Sequence, residues 1–176
     1  MRMQEIEVKI LEVDVPALIV RFEQEGAQKT FEGEVCTVHY EPRSKTKNVA
    51  DLVLRLRKQG DRATVTLKKR LFQEGVKAME EYEVNIADFA MMGTILQELG
   101  FSAGKEVRKR RASYALADVH FDLDTYTGIP TFLEIEAQSA AIVERWVQRL
   151  GYTMTDAKPW STKELFRHYG IKEKFA

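Results

Sequence analysis

Short runs in which apolar and polar residues alternate dominate the chain, and each run predicts a strand. In MQEIEVKI, close to the first residue, the isoleucines and the valine share one side, while Glu5, Glu7 and Lys9 share the other. This follows because successive side chains of a strand point to opposite faces. The short turns between the runs, such as Gly60-Asp61, favour antiparallel pairing. Strands are predicted over 3–10, 34–40, 51–58, 62–69, 78–86, 106–115, 117–125 and 131–137.

Helical spacing of apolar residues interrupts the strands in four places. The pattern predicts helices over 15–26, 87–99, 139–150 and 161–169. Asp14 is suited to cap the first helix, and Gly26, Gly100 and Gly151 are suited to end the first three. The polar segment 41–51 is predicted to be a loop.

The polar sides of the strands carry a repeat in which two acids stand two residues apart. The acidic pairs are Glu5/Glu7, Glu81/Glu83, Asp122/Asp124 and Glu134/Glu136. The basic residues on the same sides are Lys9, Arg55, Arg57, Lys68 and one pair from RKRR, either Lys109 with Arg111 or Arg108 with Arg110. One such side, taken alone, is most simply a solvated strand surface. The whole set is harder to explain in that way, because like charges on neighbouring strands repel each other.

The predicted helices need apolar surface, and only the apolar sides of the strands offer it. Packing there turns the charged sides away from the helices and into the lumen of a closed antiparallel barrel. We therefore expect an α+β fold, an eight-stranded antiparallel β-barrel with helices packed outside, in a single domain over residues 1–176.

Charges that are crowded into a lumen need partners, because burying a lone ion is costly. Clustered carboxylates bind divalent cations, and an all-oxygen ligand set suits Mg²⁺ or Mn²⁺ better than Zn²⁺. Arginine and lysine bind phosphate oxygens. The sequence therefore predicts a site for a metal–polyphosphate complex.

Composition narrows the class of partner. The chain has 27 basic and 27 acidic residues and a net charge of zero, whereas nucleic-acid-binding domains are usually basic. The basic runs 68–70 and 108–111 are also divided between two faces by the alternation. Cys36 is the only cysteine, which excludes an intrachain disulfide, and no segment resembles a signal peptide or a membrane span. We expect a cytoplasmic protein with a small-molecule partner, no nucleic acid and no membrane, as a monomer or homodimer.

In their order along the chain, these residues resemble the motifs of the CYTH family, also called triphosphate tunnel metalloenzymes. The matches lie within residues 3–137 and include the ExExK of Glu5, Glu7 and Lys9. The other matches are LRLR (54–57), TLK (66–68), ExE (81–83), the KxRxxY of Lys109, Arg111 and Tyr114, LD (123–124) and FLEIE (132–136). The resemblance favours Lys109 and Arg111 as the inward pair.

The resemblance also implies roles for single residues in a tunnel that binds a triphosphate with Mg²⁺ or Mn²⁺. Matched by position, the metal ligands would be Glu5, Glu7, Asp124, Glu134 and Glu136. The triphosphate ligands would be Lys9, Arg55, Arg57, Lys68, Lys109 and Arg111. Lys9, Glu83 and Arg57 would take part in catalysis.

Relatives of this kind include class IV adenylate cyclases, thiamine triphosphatases and tripolyphosphatases. We expect a triphosphatase acting on tripolyphosphate, thiamine triphosphate or a nucleoside triphosphate. The alternatives are an adenylate cyclase and a binding module for polyphosphate or nucleotide without turnover. The chain reads TVHYE (37–41) where many members carry a DxYF-like motif, and PWSTKEL (159–165) replaces the SY motif of the cyclases. The His-Phe element that often precedes the acidic motif in cyclases is absent, so hydrolysis is favoured.

The remaining side chains with possible chemistry are expected to be structural or exposed. Met91 and Met92 are predicted to pack in the core. Lys158 and Lys163 would either close one mouth of the tunnel or flank a solvated helix. The other such residues are His39, His120, His168, Trp146 and Trp160.

Overall fold

The computed structural model describes residues 2–43, 52–71 and 77–171, with side chains from residue 5 onwards. The strands of this part of the chain close into one antiparallel barrel, in the order β1-β5-β4-β3-β2-β6-β7-β8. The predicted α+β barrel is confirmed, although most of the predicted loop 41–51 lies outside the described residues. The strands are β1 (Arg2–Ile10), β2 (Gln28–Pro42), β3 (Leu52–Gln59), β4 (Arg62–Leu71), β5 (Lys77–Ile86), β6 (Phe101–Leu116), β7 (Val119–Thr125) and β8 (Phe132–Ala137).

Strands β2 and β6 are longer than the sequence pattern predicts. They pair with each other along most of their length, from Gln28 opposite Ala115 to Pro42 opposite Phe101. The added residues, 28–33 and 101–105, are mainly polar or small and show no clean alternation. Their strand structure is supported by ladder hydrogen bonds rather than by burial of one face, and a hydrophobic pattern does not report such bonds.

The helices lie within the predicted segments. Asp14 accepts a hydrogen bond from the Ala17 N–H at 3.1 Å and caps the first helix. Gly26 ends that helix with φ of 81°, a left-handed conformation that favours glycine. The helices are α1 (Val15–Glu25), α2 (Phe89–Glu98), α3 (Ala140–Arg149) and α4 (Thr162–His168).

The helices cover the apolar outer face of the barrel. Phe22 of α1 stacks on Phe121 of β7 with ring centroids 4.8 Å apart, and Trp146 of α3 meets the same ring edge-on at 5.3 Å. Leu96 of α2 packs against Leu56 and the neighbouring outer residues of β2 and β3. The apolar faces are thus turned outward to the helices, and the charged faces are left to line the lumen.

One prediction about the core is wrong. Met92 packs partly against the cluster under α2, but the neighbouring Met91 is 57% exposed. The two residues point in different directions because adjacent positions on a helix lie about 100° apart, so only one of them can face the barrel.

Candidate active site

The charged faces converge on one lumen, which contains a cavity of about 370 Å³. Among the residues proposed from the sequence, those that line the cavity are Glu5, Glu7, Arg55, Arg57, Lys68, Lys109, Arg111, Glu134 and Glu136. Lys9, Glu81, Asp122 and Asp124 do not line it but are joined to these residues by ion pairs. The structure therefore brings nearly all of the proposed site residues together, on strands that are far apart in sequence.

One group of charges centres on Lys68. Its ammonium forms ion pairs with Glu5 and with Glu81, the latter at 2.8 Å, and Arg55 lies 3.5 Å from Glu81. Burial alone would raise the pKa of Glu5, but Lys68 and hydrogen bonds from Glu81 and Glu136 hold it well below its ordinary value. Glu5 is therefore the ionised member of this group.

The carboxyl groups next to Glu5 behave in the opposite way. Burial and the neighbouring Glu5 raise the pKa of Glu81 to about 7. Burial and Glu5 also raise the pKa of Glu136 well above its ordinary value. Both effects arise because burial disfavours the charged form of a carboxyl group, and because adjacent carboxylates repel each other.

A second group of charges centres on Glu134. It receives Lys9 at 2.8 Å and Arg111 at 2.7 Å. Arg111 also contacts Asp124 at 2.5 Å, and Lys109 contacts the same carboxylate at 2.5 Å. Burial would raise the pKa of Glu134, but these three cations hold it well below its ordinary value.

Lys9 keeps its charge under all ordinary conditions. Its side chain is buried, and burial alone would lower its pKa, but Glu134 and Glu7 raise the pKa above the ordinary value for lysine. A lysine held in this way can donate hydrogen bonds and balance charge, but it cannot accept a proton near neutral pH.

Arg57 differs from the other lumen cations. Among the described residues it has no carboxylate partner, and its Nε is buried without a hydrogen bond. Burial, with Arg55 and Arg111 nearby, lowers its pKa to about 10. A partly buried arginine that faces a cavity and has no carboxylate partner is an arrangement that an anionic ligand would complete.

The carboxylates also fit a divalent cation, but they are not arranged around one. No group of three or more His, Cys, Asp or Glu side chains in the described part of the chain has the geometry of a metal site. Glu81 and Glu136 nevertheless lie close enough to Glu5 to have their pKa values raised by it, in addition to the effect of burial. Hard oxygen donors that are crowded enough to hold protons are suited to exchange them for Mg²⁺ or Mn²⁺.

The structure separates the inward and outward residues of RKRR. Lys109 and Arg111 are buried in the lumen, while Arg108 and Arg110 are exposed on the outer face. In the run 68–70, Lys68 is buried in the lumen, whereas Lys69 and Arg70 are exposed. Neither run therefore forms a continuous basic patch.

Glu83 lies apart from the other proposed residues. It accepts hydrogen bonds from Arg62 at 2.8 Å and from Thr66 at 3.0 Å, near the turn between β3 and β4, and it does not line the cavity. Its side chain is turned toward one end of the barrel.

The residues of the cavity wall that were missed by the sequence analysis include Lys77 and His39. Lys77 begins β5, pairs with Glu7 at 2.6 Å and lines the cavity. It shares the parity of Glu81 and would have been found had the strand been started one residue earlier. His39 also lines the cavity, although it was expected to be structural or exposed.

Helix α4 lies at one mouth of the lumen. Lys163 lines the cavity, and Tyr126 stands at the same mouth with its ring 5.7 Å from the Lys109 ammonium. Lys158 forms a backbone bridge with Lys9, and its own ammonium contacts the Thr155 carbonyl. The Trp160 ring contacts the His168 ring instead of the cavity.

Comparison with known proteins agrees with this geometry. The profile of the CYTH domain matches residues 3–156. The chain belongs to the CYTH family. CYTH proteins are metal-dependent tunnel enzymes that act on triphosphates.

Individual relatives are similar to this chain in sequence or in fold. A Methanocaldococcus jannaschii protein named as a candidate adenylate cyclase is 27% identical over 146 residues, which is 81% of this CYTH chain and 82% of that protein. The PH1012 protein from Pyrococcus horikoshii is 27% identical, with a TM-score of 0.75 over 92% of this chain and 98% of that one. A Vibrio parahaemolyticus candidate adenylate cyclase, 18% identical, has a TM-score of 0.77 over 94% and 98% and shows likeness in fold alone.

None of the helices in the described part of this CYTH chain has the length and apolar character needed to span a bilayer.

Proposed function

We propose that this CYTH protein is a metal-dependent triphosphatase. The observation that carries the proposal is Arg57, a partly buried cation with an enclosed Nε and no carboxylate partner among the described residues, facing a cavity of about 370 Å³. A cavity of this size suits a small ligand. The surrounding charge selects a ligand that is itself highly charged.

The phosphate chain would be bound by cations on several strands. Arg55 and Arg57 project from β3, Lys68 from β4, and Lys109 and Arg111 from β6. Arginine forks bind phosphate oxygens in pairs, so the two β3 arginines would fix the position of one phosphoryl group. Lys9 stays protonated and would offset charge as the phosphorus–oxygen bond breaks.

The metal ligands in this proposal are Glu5, Glu7, Glu134 and Glu136, with Asp124 in support. Mg²⁺ or Mn²⁺ held there would offset phosphate charge and help to position the attacking water. Water attacks the terminal phosphorus, and the bridging oxygen leaves with the diphosphate product. Glu83 makes no contact with the phosphate chain in this arrangement, because it faces Arg62 at the end of the barrel.

The second candidate is an adenylate cyclase, which is favoured by the name of the Methanocaldococcus relative. In that reaction the ribose 3′-hydroxyl attacks the α-phosphorus and diphosphate leaves. Cyclisation needs a clamp that holds the hydroxyl within about 3–3.5 Å of the phosphorus. Hydrolysis needs only the triphosphate, the metal and water, so it requires no such clamp at the mouths of the tunnel.

The proposal is tested by a panel of tripolyphosphate, thiamine triphosphate, ATP and GTP, each with Mg²⁺ and with Mn²⁺. Phosphate, diphosphate and cyclic AMP are resolved as products. We expect phosphate release from at least one substrate and little or no cyclic AMP. Cyclic AMP and diphosphate formed in equal amounts, faster than phosphate, would replace the hydrolase with the cyclase.

Two controls separate turnover from binding. Excess chelator should stop phosphate release, and Arg57→Gln should abolish it, whereas Lys58→Gln should not. Lys58 is the neighbour of Arg57 on the same strand, but it is exposed on the opposite face. Tight binding of tripolyphosphate without any product under all metal conditions would indicate a binding module.

A further inference from the structure

His39 occupies a position in the cavity wall that the proposed function does not use. It lies on β2 directly opposite Arg55 of β3, and Thr37 lies opposite Arg57 in the same ladder. All of these side chains line the cavity. His39 therefore stands beside the two arginines that are proposed to bind a phosphoryl group.

The backbone around His39 is irregular on its other side. The pairing of β2 with β6 shifts register between Val38 and Tyr40, so that Gly104 and Lys105 of β6 together face the single residue His39. An extra residue of this kind is a β-bulge, and bulges bend a strand and redirect side chains next to functional sites. Gly104 and Lys105 also line the cavity.

The imidazole of His39 makes no hydrogen bond within the described part of the protein. Its two ring nitrogens are not fully enclosed by protein atoms. The side chain lies on the lumen side of β2, because it lines the cavity together with Arg55, its partner in the ladder. The charged groups around it are Arg55 and Arg57 of β3, Lys77 of β5, Lys105 of β6 and Glu41 of β2.

The free protein keeps this ring neutral. Burial, followed by Arg55, Arg57 and Lys77, lowers the pKa of His39 to about 4. All three named charges are positive, so a polyanion that neutralised them would remove the electrostatic part of this effect and add attraction of its own.

We propose that His39 is a further donor of the Arg55–Arg57 anion site, and that it takes up a proton from solvent when a phosphate chain binds there. The protonated ring then donates to a phosphate oxygen as a charge-assisted hydrogen bond. This inference rests on the proposed function, because it needs a phosphate chain in the lumen. It adds a donor whose charge appears only in the complex.

The test is calorimetric titration of the full chain with tripolyphosphate at pH 6, in a chelator, in two buffers with different ionisation enthalpies. The difference in apparent enthalpy gives the number of protons taken up on binding. Without divalent metal, Glu81 and Glu136 are not driven to release protons. Protonation of the ligand itself is the same for every variant and cancels in the comparison.

We expect wild-type protein to take up about 0.5–0.9 proton more than His39→Gln, because opposite charges at close range raise a pKa by about 1–3 units, and a rise of about 2–3 units from about 4 brings the pKa to the pH of the assay or above it. His39→Gln should also bind about two- to tenfold more weakly, because the same rise in pKa favours the complex by that factor at pH 6. His39→Lys, which is charged before binding, should retain affinity but lose the added proton uptake. His168→Gln is the control, because His168 is exposed on α4, contacts the Trp160 ring and does not line the cavity.

The outcomes distinguish this inference from the function beneath it. If tripolyphosphate binds and proton uptake is equal in wild type and His39→Gln, His39 is not a donor, but the anion site stands. If no polyphosphate binds the wild type, both proposals fail. If circular dichroism shows that His39→Gln does not fold, His39→Lys takes its place in the comparison. Proton uptake by His39→Lys equal to that of wild type would equally overturn the inference.

Discussion

Replacing Arg57 with glutamine should have two effects at once: it should stabilise the free protein and abolish anion binding. Arg57 is partly buried in the lumen without a carboxylate partner among the described residues, and its pKa is lowered from 12.5 to about 10. Burial is the main cause, followed by repulsion from Arg55 and Arg111. The arginine is charged in both the folded and the unfolded chain at pH 7, so the lowered pKa measures what its burial costs the folded state.

That cost is roughly 3 kcal/mol, since a change of one pKa unit corresponds to about 1.4 kcal/mol. Glutamine removes the charge but also part of the packed side chain, which offsets about 1 kcal/mol of the gain. We therefore expect the free energy of unfolding to rise by about 1–2 kcal/mol. Functional sites often hold groups that reduce the stability of the fold, so the gain in stability and the loss of function share one cause.

The assay is urea unfolding at pH 7, followed by circular dichroism, together with titration by tripolyphosphate. Lys58→Gln, on the opposite face of the same strand, should change neither the unfolding midpoint nor the affinity. Arg57→Lys should keep the charge and lose the paired hydrogen bonds, so it should bind weakly without gaining stability. An Arg57→Gln protein that unfolds more easily than wild type and still binds tripolyphosphate would refute the reasoning.

Three further predictions follow from the ion pairs of the lumen. Glu134→Gln should destabilise the free protein by about 3 kcal/mol, because it leaves Lys9, Lys109 and Arg111 without one of their acidic partners. Glu136→Gln should leave the urea midpoint unchanged or raised, and should only weaken metal binding. Lys9→Met should lower the free energy of unfolding by about 3–5 kcal/mol, because it leaves buried Glu7 and Glu134 without that cation; a change below 1 kcal/mol would contradict it. Relative to wild type, His39→Gln should gain up to roughly 3 kcal/mol of stability as the pH falls from 6.5 to 4, because the folded pKa of His39 is lowered to about 4. Relative to wild type, Glu81→Gln should gain a similar amount of stability as the pH rises from 4.5 to 7, because the folded pKa of Glu81 is raised to about 7. Parallel pH profiles of stability for wild type, His39→Gln and Glu81→Gln would contradict the shifted pKa values of both residues.

The direction of most charged side chains could be predicted because strand parity is a local property of the sequence, although for RKRR the inward pair was decided by the family resemblance. Glu5, Arg55 and Glu134 are on separate strands, yet each one faces the lumen as the alternation indicates. Closure of the barrel could also be inferred, since the helices need the apolar faces and leave the charged faces no other buried place.

The partners of those charges could not be predicted, because they depend on the order in which the strands close. The barrel places β1 between β5 and β8, so Glu7 meets Lys77 on one side and Glu136 stands opposite it on the other. Alternation within a strand carries no information about its neighbours. His39 was missed for a related reason: its environment is made by β3, β5 and β6, and a single histidine in a strand resembles any other.

The two acids of β8 show how neighbouring strands determine the chemistry of a motif. Glu134 and Glu136 face the same lumen two residues apart, but Glu134 meets three cations and stays ionised, while Glu136 meets Glu5 and holds a proton. A phosphate chain that recruits Lys9, Lys109 and Arg111 takes these cations away from Glu134, and the carboxylate then needs another positive partner. A divalent cation supplies that partner and also displaces the proton from Glu136. Anion and metal should therefore bind with positive coupling, and tripolyphosphate should bind more tightly in the presence of Mg²⁺ or Mn²⁺ than in a chelator.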